Sequence, residues 1–230
     1  MKKDNYIGFI GLGNLGSNLA NSILISKYNL FVYDKNIQNT KKLILNGAIL
    51  SKNIKCLLSK CSVIITCLPS PKEVSKVIEG KNGIINFINK NHLWIDMSTN
   101  DADEMKRLSK IIESKNANVL ESPVTGGVHT SERGNISILV SGKKKVFKRA
   151  FPILSEIGYN ILYCGKIGNS SILKVITNFL ASINLLSLGE ALTLSKKLGI
   201  YPVTTYKAIK ISSGNSFVHE TESKLILNGS

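Results

Sequence analysis

Lys174 is the side chain in this 230-residue chain whose setting best suits proton transfer. The other residues of 172–176 are apolar, so a cation interrupts a segment with the composition of a buried helix. Burial lowers the pKa of a lysine towards the range useful for proton transfer near neutrality. Asn178 follows four residues later, on the same face of a helix. Most helical lysines are instead solvated or extend along the surface, and the residues alone leave that alternative open.

A glycine-rich turn near the start of the chain suggests a second kind of chemistry. Gly11-x-Gly13-x-x-Gly16 directly follows the apolar residues 7–10 and precedes an amphipathic segment, Asn18 to Ser26. Glycines at this spacing permit a tight turn, a close backbone approach to a pyrophosphate, and close packing of helix on strand. The N–H groups at the start of the following helix then face the phosphates. The motif predicts dinucleotide binding.

Asp34 indicates which dinucleotide this turn would hold. It ends a second apolar segment, Asn29 to Tyr33, and lies 18 residues after Gly16. A carboxylate at this point can accept hydrogen bonds from the adenosine ribose hydroxyls and would repel a 2′-phosphate. We therefore expect NAD in preference to NADP, with Lys35 as the one neighbouring charge that would favour a phosphate.

Three further segments come just after strand-like runs, where a doubly wound sheet binds its ligands. Leu68-Pro69-Ser70 is either a cofactor-contacting loop or a plain turn. Ser98-Thr99 offers hydroxyls either to the nicotinamide end of a cofactor or to a helix start. Thr125-Gly126-Gly127 exposes backbone N–H groups that can hold a carboxylate, or forms a flexible turn.

Composition narrows the partners. The formal net charge is +15, but the lysines are spread along the whole chain, there are three arginines, and aromatic residues make up 7%. Nucleic-acid readers favour arginine and interleaved aromatics, so we expect no nucleic-acid partner. Such a basic field would still attract an anionic substrate. The histidines and cysteines lack ligand spacing, and we expect no metal site.

The location is expected to be cytoplasmic, without membrane attachment. No unbroken apolar run approaches the roughly 18 residues that span a bilayer. The first five residues lead at once into a strand, which leaves no room for a signal peptide.

The elements that must position these residues alternate between strand and helix through residue 164. Further strands are predicted at Ser62–Leu68, His92–Met97, Val119–Glu121, Ile136–Val140 and Asn160–Tyr163. This alternation predicts an α/β fold, a doubly wound Rossmann-type sheet over residues 1–164. Residues 165–230 are predicted to be all-α, with a long helix from Asn169 to Leu198. At about 65 residues this second domain is short for an independent unit, and we expect it to be incomplete.

Taken in order, the motifs resemble those of the β-hydroxyacid dehydrogenase family of the 3-hydroxyisobutyrate dehydrogenase and tartronate semialdehyde reductase type. The resemblance rests on G-F-I-G-L-G-N-L-G, V-Y-D, C-L-P-S, D-M-S-T, E-S-P-V-T-G-G and G-x-x-G-N-S-S-I-L-K-V-I-T-N. It implies hydride transfer between NAD(H) and a short 3-hydroxy acid, by a homodimer or homotetramer.

The same resemblance implies a role for each matching position. Lys174 would be the catalytic lysine and Asn178 its substrate-positioning companion, while Thr125, Gly126 and Gly127 would bind the substrate carboxylate. The implied cofactor-binding residues are Gly11, Leu12, Gly13, Asn14, Leu15, Gly16, Asp34, Leu68, Pro69 and Thr99. The presence of Lys174 argues against the related imine reductases, which generally lack this lysine.

The chain also departs from the family pattern. Thr125 stands where serine is usual and Glu121 where aspartate is usual, and Asp101-Ala102 lacks a common proline. The family continues well beyond the position of Ser230, with further residues that close the site. An alternative is therefore a fragment that binds NAD and is catalytically crippled.

Overall fold

The computed structural model describes residues 6–26, 28–126 and 136–228. The described strands are β1 (Tyr6–Ile10), β2 (Asn29–Tyr33), β3 (Ile49–Leu50), β4 (Val63–Thr66), β5 (Leu93–Asp96), β6 (Asn118–Glu121), β7 (Val124–Thr125), β8 (Ser137–Gly142) and β9 (Asn160–Gly165). The described helices are α1 (Asn14–Ile25), α2 (Lys41–Leu45), α3 (Ile54–Lys60), α4 (Pro71–Glu79), α5 (Ala102–Glu113), α6 (Lys144–Ile157), α7 (Asn169–Lys197), α8 (Pro202–Lys210) and α9 (Phe217–Asn228).

These strands form one sheet in the order β3-β2-β1-β4-β5-β6-β8-β7, with β9 paired to β8. The six strands from β3 to β6 in this order pair in parallel. Strand β8 runs antiparallel to β6 and β7 and parallel to β9. The chain moves outward from β1 to β3 and then returns to β4 on the other side of β1. The carboxyl ends of β1 and β4 therefore flank the crevice where such sheets bind ligands.

Apolar side chains cover both faces of the sheet because successive residues of a strand point to opposite sides. On β5, Ile95 packs in a cluster with residues of α1 and α6, whereas Trp94 packs in a second cluster with residues of α3, α4 and α5. Phe9 of β1 and Trp94 are both fully buried. This arrangement confirms the predicted doubly wound α/β sheet followed by a helical region.

The chain divides into two compact units, Met1–Lys174 and Val175–Ser230, and the division falls within α7. The described part of the second unit contains helices joined by turns, and no strand. Inside that unit, buried His219 of α9 contacts the Tyr206 carbonyl of α8 through Nε2 at 3.1 Å and the Ser223 hydroxyl through Nδ1 at 2.8 Å.

Several elements differ from the sequence-based expectation. Helix α1 begins at Asn14 and so includes Gly16, whereas the amphipathic pattern begins at Asn18. Strands β3 and β7 were not predicted, since two residues are too few to display an alternating pattern. Helix α9 was not predicted either, because the polar run at 219–222 interrupts its apolar spacing.

Helix α7 also differs from expectation in its hydropathy. Of the helices in the described ranges, α7 is long and apolar enough to cross a membrane by length and composition. Uncharged polar residues such as Thr177 and Asn178 break the apolar run, but the helix is still apolar on average. Of this apolar segment, 11% is buried inside the chain. A single helix of this kind does not establish a membrane span, and the absence of membrane attachment stays a prediction.

Candidate functional site

A cavity of ≈ 750 Å³ opens at the carboxyl ends of β1, β2, β4 and β5, within the first unit. Its volume is in the range of small-molecule and cofactor sites. Nine of the ten residues expected to bind a cofactor line it, and the tenth, Leu12, does not. The nine are Gly11, Gly13, Asn14, Leu15, Gly16, Asp34, Leu68, Pro69 and Thr99.

The three glycines of the turn meet three different spatial requirements. Gly11 has a φ of +92°, and a Cβ there would lie 2.3 Å from the Cys67 carbonyl oxygen. A Cβ on Gly16 would lie 2.1 Å from the Gly11 carbonyl oxygen, so helix and turn approach each other too closely for a side chain. Gly13 has open space where its Cβ would be and lines the cavity. A cradle with a bare backbone at Gly13 and the start of α1 behind it fits a pyrophosphate.

Asp34 is held at the end of β2 by two backbone groups. Its Oδ2 accepts a hydrogen bond of 2.6 Å from the N–H of Leu12, and its Oδ1 accepts one of 2.8 Å from the N–H of Asn36. Leu12 therefore contributes by fixing Asp34, with its own side chain in the core. The carboxylate lines the cavity in a defined position, as ribose recognition requires.

A buried carboxylate, Asp96, connects the loops that follow β4 and β5. Its Oδ1 accepts hydrogen bonds from the Thr66 hydroxyl at 2.8 Å and the Ser98 hydroxyl at 2.6 Å. Its Oδ2 accepts one of 3.2 Å from the Asn100 side-chain amide. Burial raises the pKa of Asp96 from 3.8 to about 6, although these hydrogen bonds oppose the shift.

The hydroxyl of Ser98 links this buried group to the cavity wall. It donates to Asp96 and accepts a hydrogen bond of 2.9 Å from the N–H of Leu68. Both hydrogen bonds of Ser98 hold parts of the protein in place. Ser98 and Thr99 both line the cavity, and Thr99 is the exposed residue of the two. The sequence predicted a role for the loops after β4 and β5. It did not predict the connecting role of Asp96, which entered only as the first residue of the D-M-S-T motif.

The predicted carboxylate-binding segment begins at β7. Thr125 pairs with Ser137 of β8, and Val124, the residue before it, lines the cavity. Gly126 has a φ of +122°, a conformation that favours glycine. Gly127 lies outside the described residues.

Glu121 fixes the start of α7. This residue is 1% exposed, and its carboxylate accepts hydrogen bonds of 2.6 Å from the backbone N–H groups of Gly168 and Ser171. A second attachment comes from Ser141 of β8, whose hydroxyl accepts a 3.1 Å hydrogen bond from the N–H of Ser170. The first turn of a helix has unpaired N–H groups and a partial positive charge, and a carboxylate satisfies both.

Lys174 follows one turn later on α7. It is 9% exposed, and burial lowers its pKa below 10.5. The partly desolvated lysine suggested by the apolar sequence is therefore present. Asn178, four residues further on, is exposed and belongs to the second unit.

Sequence reasoning missed part of the cavity wall. Glu73, Lys76 and Val77 of α4 line the cavity, as do Met97 and Val124. The Ser70-Pro71 start of α4 could have indicated these residues. A helix that begins at the carboxyl end of β4 presents its first turns to the crevice at that end of the sheet. Within the described ranges, no group of three or more His, Cys, Asp and Glu residues is arranged to hold a metal ion.

Comparison with known proteins agrees with this geometry. Residues 6–165 match the family model of the NAD binding domain of 6-phosphogluconate dehydrogenase. Residues 168–230 match the family model described as NAD-binding of NADP-dependent 3-hydroxyisobutyrate dehydrogenase. The cavity therefore belongs to an NAD(P)-binding domain.

Individual relatives of the chain are hydroxy-acid dehydrogenases. Mitochondrial 3-hydroxyisobutyrate dehydrogenase of Rattus norvegicus is 34% identical over 215 residues, which are 94% of this chain and 64% of the relative. The 2-(hydroxymethyl)glutarate dehydrogenase of Eubacterium barkeri is 31% identical over 230 residues, which are 100% of this chain and 76% of the relative. The chain thus spans a little under two thirds of the rat protein's length.

Among solved structures, 3-hydroxyisobutyrate dehydrogenase of Mycobacterium tuberculosis with L-serine superposes with a TM-score of 0.86 at 23% identity. The match covers 96% of this chain and 75% of that one, and it shows the shared fold. With two adjoining family models and relatives above 30% identity, the chain belongs to the β-hydroxyacid dehydrogenase family.

Proposed function

We propose that this chain catalyses hydride transfer between NAD(H) and a short 3-hydroxy acid of the 3-hydroxyisobutyrate or glycerate type. The observation that carries the proposal is the buried, pKa-lowered Lys174, one turn into a helix whose start is bound to Glu121. Glu121 ends β6, and Thr125 and Gly126 follow four and five residues later, so the residue that fixes the helix of the predicted base is close in sequence to the predicted carboxylate-binding segment.

In this proposal Lys174 is the general base and acid. In oxidation, its neutral amine accepts the proton of the substrate hydroxyl. The hydride leaves the carbon that carries this hydroxyl, and a carbonyl forms. NAD⁺, which the glycine turn and Asp34 would hold, would supply the hydride acceptor. In reduction, the protonated Lys174 returns the proton to the carbonyl oxygen. A lowered pKa makes the neutral amine available at a lower pH than for an exposed lysine, while the protonated form stays available for reduction.

We propose that the other residues position the substrate. Thr125 and the backbone of Gly126 and Gly127 would hold the substrate carboxylate, and Asn178 would orient the reacting end. The threonine keeps the hydroxyl of the serine that is usual in the family and adds a methyl group. An anionic substrate would also be favoured by the net charge of +15.

We propose NAD as the preferred cofactor. The support is the position of Asp34, whose two backbone hydrogen bonds hold a negative charge where a 2′-phosphate would lie. Replacing Asp34 with serine should improve NADP⁺ affinity relative to NAD⁺, measured by calorimetry. An unchanged ratio would contradict the role assigned to Asp34.

The proposal is tested by mixing the chain with NAD⁺ and 3-hydroxyisobutyrate, glycerate or a related short acid, and recording NADH formation. NAD⁺ affinity is measured separately by calorimetry. NAD⁺ binding without turnover on any short hydroxy acid would instead support the second candidate, a cofactor-binding chain that is catalytically crippled. That candidate needs only the cofactor cavity, which is lined by residues between Ile10 and Val124.

We further propose a homo-oligomer that makes contact through the second unit. The support is the set of large apolar side chains that α7 exposes there, among them Phe179 at 62% and Leu186 at 63%. Burial of such side chains against protein is favourable by about 25 cal/mol per Å² of apolar area. Light scattering after gel filtration measures the mass of the assembly and so tests the homo-oligomer.

We also propose that the chain has no membrane or nucleic-acid partner. Co-sedimentation with lipid vesicles and with DNA tests this.

A further inference from the structure

Four charged side chains line the cavity beside Asn36 and Asn39, at the end of β2. They are Asp34, Lys35, Glu73 and Lys76. Asp34 and Lys35 follow β2, whereas Glu73 and Lys76 lie on α4. Two acids and two bases give this end of the cavity no net charge.

Glu73 is the centre of this cluster. Its Oε2 lies 3.1 Å from the Nζ of Lys35, and its Oε1 lies 2.7 Å from the Nζ of Lys76. The two lysine side chains are 80% and 60% exposed, and that of Glu73 is 25% exposed. One carboxylate thus engages both ammonium groups, and it joins the loop after β2 to α4.

The two lysines are the groups that a 2′-phosphate would need. Cofactors that carry this phosphate require cationic partners beside the adenosine ribose, where Asp34 stands in this chain. Within the described lining of the cavity, Lys35 and Lys76 are the cations, and both are already paired with Glu73.

We propose that Glu73 is a cofactor-specificity residue, which pairs with Lys35 and Lys76 and so disfavours a 2′-phosphate at this end of the cavity. The inference rests on the proposed use of the cavity for a dinucleotide. It adds to Asp34 a second negative charge from a different element, α4. A 2′-phosphate that displaced Glu73 from the lysines would place two like charges, the phosphate and the Glu73 carboxylate, at the same end of the cavity, and this opposes NADP⁺ binding.

A purely structural role for Glu73 makes a different prediction. Ser70 caps α4, and its hydroxyl accepts a 3.3 Å hydrogen bond from the N–H of Glu73, three residues later. Glutamate and glutamine are both favoured at this position of a capped helix. Glu73→Gln therefore keeps the helix start and removes the charge, so that stability and cofactor selectivity are separated.

The experiment measures the affinity of NAD⁺ and NADP⁺ for the chain by calorimetry, together with ADP and 2′-phosphorylated ADP as fragments. Glu73→Gln should raise the affinity for NADP⁺ relative to NAD⁺, and for the 2′-phosphorylated fragment relative to ADP, about fivefold. At about 1 M salt the gain should largely disappear, because exposed charges are then screened. Adding Lys35→Ala and Lys76→Ala to Glu73→Gln should abolish the gain.

Glu79→Gln is the matched control, since Glu79 lies on the same helix, pairs with Arg107, and is not part of the described cavity lining. An NADP⁺ affinity of Glu73→Gln equal to that of Glu79→Gln would overturn the inference, and so would a gain that persists without the two lysines. Binding of NAD⁺ with no change for NADP⁺ overturns this inference alone. Failure of the unmodified chain to bind either dinucleotide overturns the cofactor assignment and this inference together.

Discussion

Glu121, the last residue of β6, accepts a 2.6 Å hydrogen bond from the backbone N–H of Gly168, just before α7 begins. The two residues are 47 positions apart in the sequence. The same carboxylate also binds the N–H of Ser171. Lys174 lies three residues after Ser171. The buried Glu121 carboxylate therefore sets where the helix begins and the direction of the turn that carries Lys174.

Loss of the Glu121 carboxylate should therefore destabilise the first unit. Glu121→Ala leaves two buried N–H groups without partners, and we expect the free energy of unfolding to fall by about 3 kcal/mol. Glu121→Gln keeps one acceptor oxygen and should lose about half as much. Urea denaturation measures both values.

Glu113→Gln is the control for these two variants. Glu113 is a more exposed carboxylate of α5, paired with Lys143 at 2.8 Å, and its loss should change stability by less than about 1 kcal/mol. Equal losses at Glu113 and Glu121 would contradict the anchoring role of Glu121.

The glycine turn predicts opposite results at two of its positions. Gly16→Ala places a Cβ against the Gly11 carbonyl oxygen and should lower the free energy of unfolding by roughly 3 kcal/mol. Gly13→Ala meets open space at a φ of −63°, so stability should be unchanged while NAD⁺ affinity falls at least about tenfold. Thermal denaturation and calorimetry separate the two effects, and weak NAD⁺ binding by a destabilised Gly13→Ala would not fit.

Asp96 should make the stability of the first unit depend on pH. Its pKa is raised from 3.8 to about 6, so the folded chain binds this proton more tightly than the unfolded chain. The stabilisation is therefore complete below pH 3.8 and is lost as the pH rises through about 6. Relative to Asp96→Asn, the free energy of unfolding should fall by about 2 kcal/mol between pH 4 and pH 7.

The quantity to compare is the slope of the free energy of unfolding against pH in the two proteins. Asparagine also alters the hydrogen bonds to Ser98 and Thr66, but it does so at every pH. Denaturant titrations at a series of pH values supply both slopes. Parallel curves for the two proteins would show that Asp96 does not titrate in this range.

Lys174 should control the pH dependence of turnover. Oxidation requires its neutral form, so kcat/KM should rise with pH and level off below 10.5, the usual pKa of lysine. Reduction requires the protonated form and should show the reverse trend. A profile for oxidation that still rises steeply at pH 10.5 would contradict a buried base.

The cofactor cavity could be predicted from sequence because its determinants lie close together along the chain. The glycine turn, α1 and Asp34 form a single strand–helix–strand unit, and the spacing of the glycines follows from local backbone geometry. The observed contacts of Gly11, Gly16 and Asp34 agree with that spacing.

Other parts of the site depend on how distant strands align. Thr66 and Asp96 are partners in the register of β4 and β5, which brings the Thr66 hydroxyl to the carboxylate. The Glu121 bonds to α7 and the Glu73 pair with Lys35 arise in the same way, between elements that the chain order alone does not place together. Short strands such as β3 and β7 leave no pattern to detect.

The central claim is that Lys174 exchanges the substrate hydroxyl proton during hydride transfer. The most direct test is the initial rate of NADH formation from 3-hydroxyisobutyrate by the unmodified chain, Lys174→Ala and Lys166→Ala. Lys166 is an exposed lysine just before α7 and serves as the control. We expect Lys174→Ala to lose about 10²- to 10⁴-fold in rate with NAD⁺ affinity kept, and Lys166→Ala to match the unmodified chain. Full turnover by Lys174→Ala would contradict the claim.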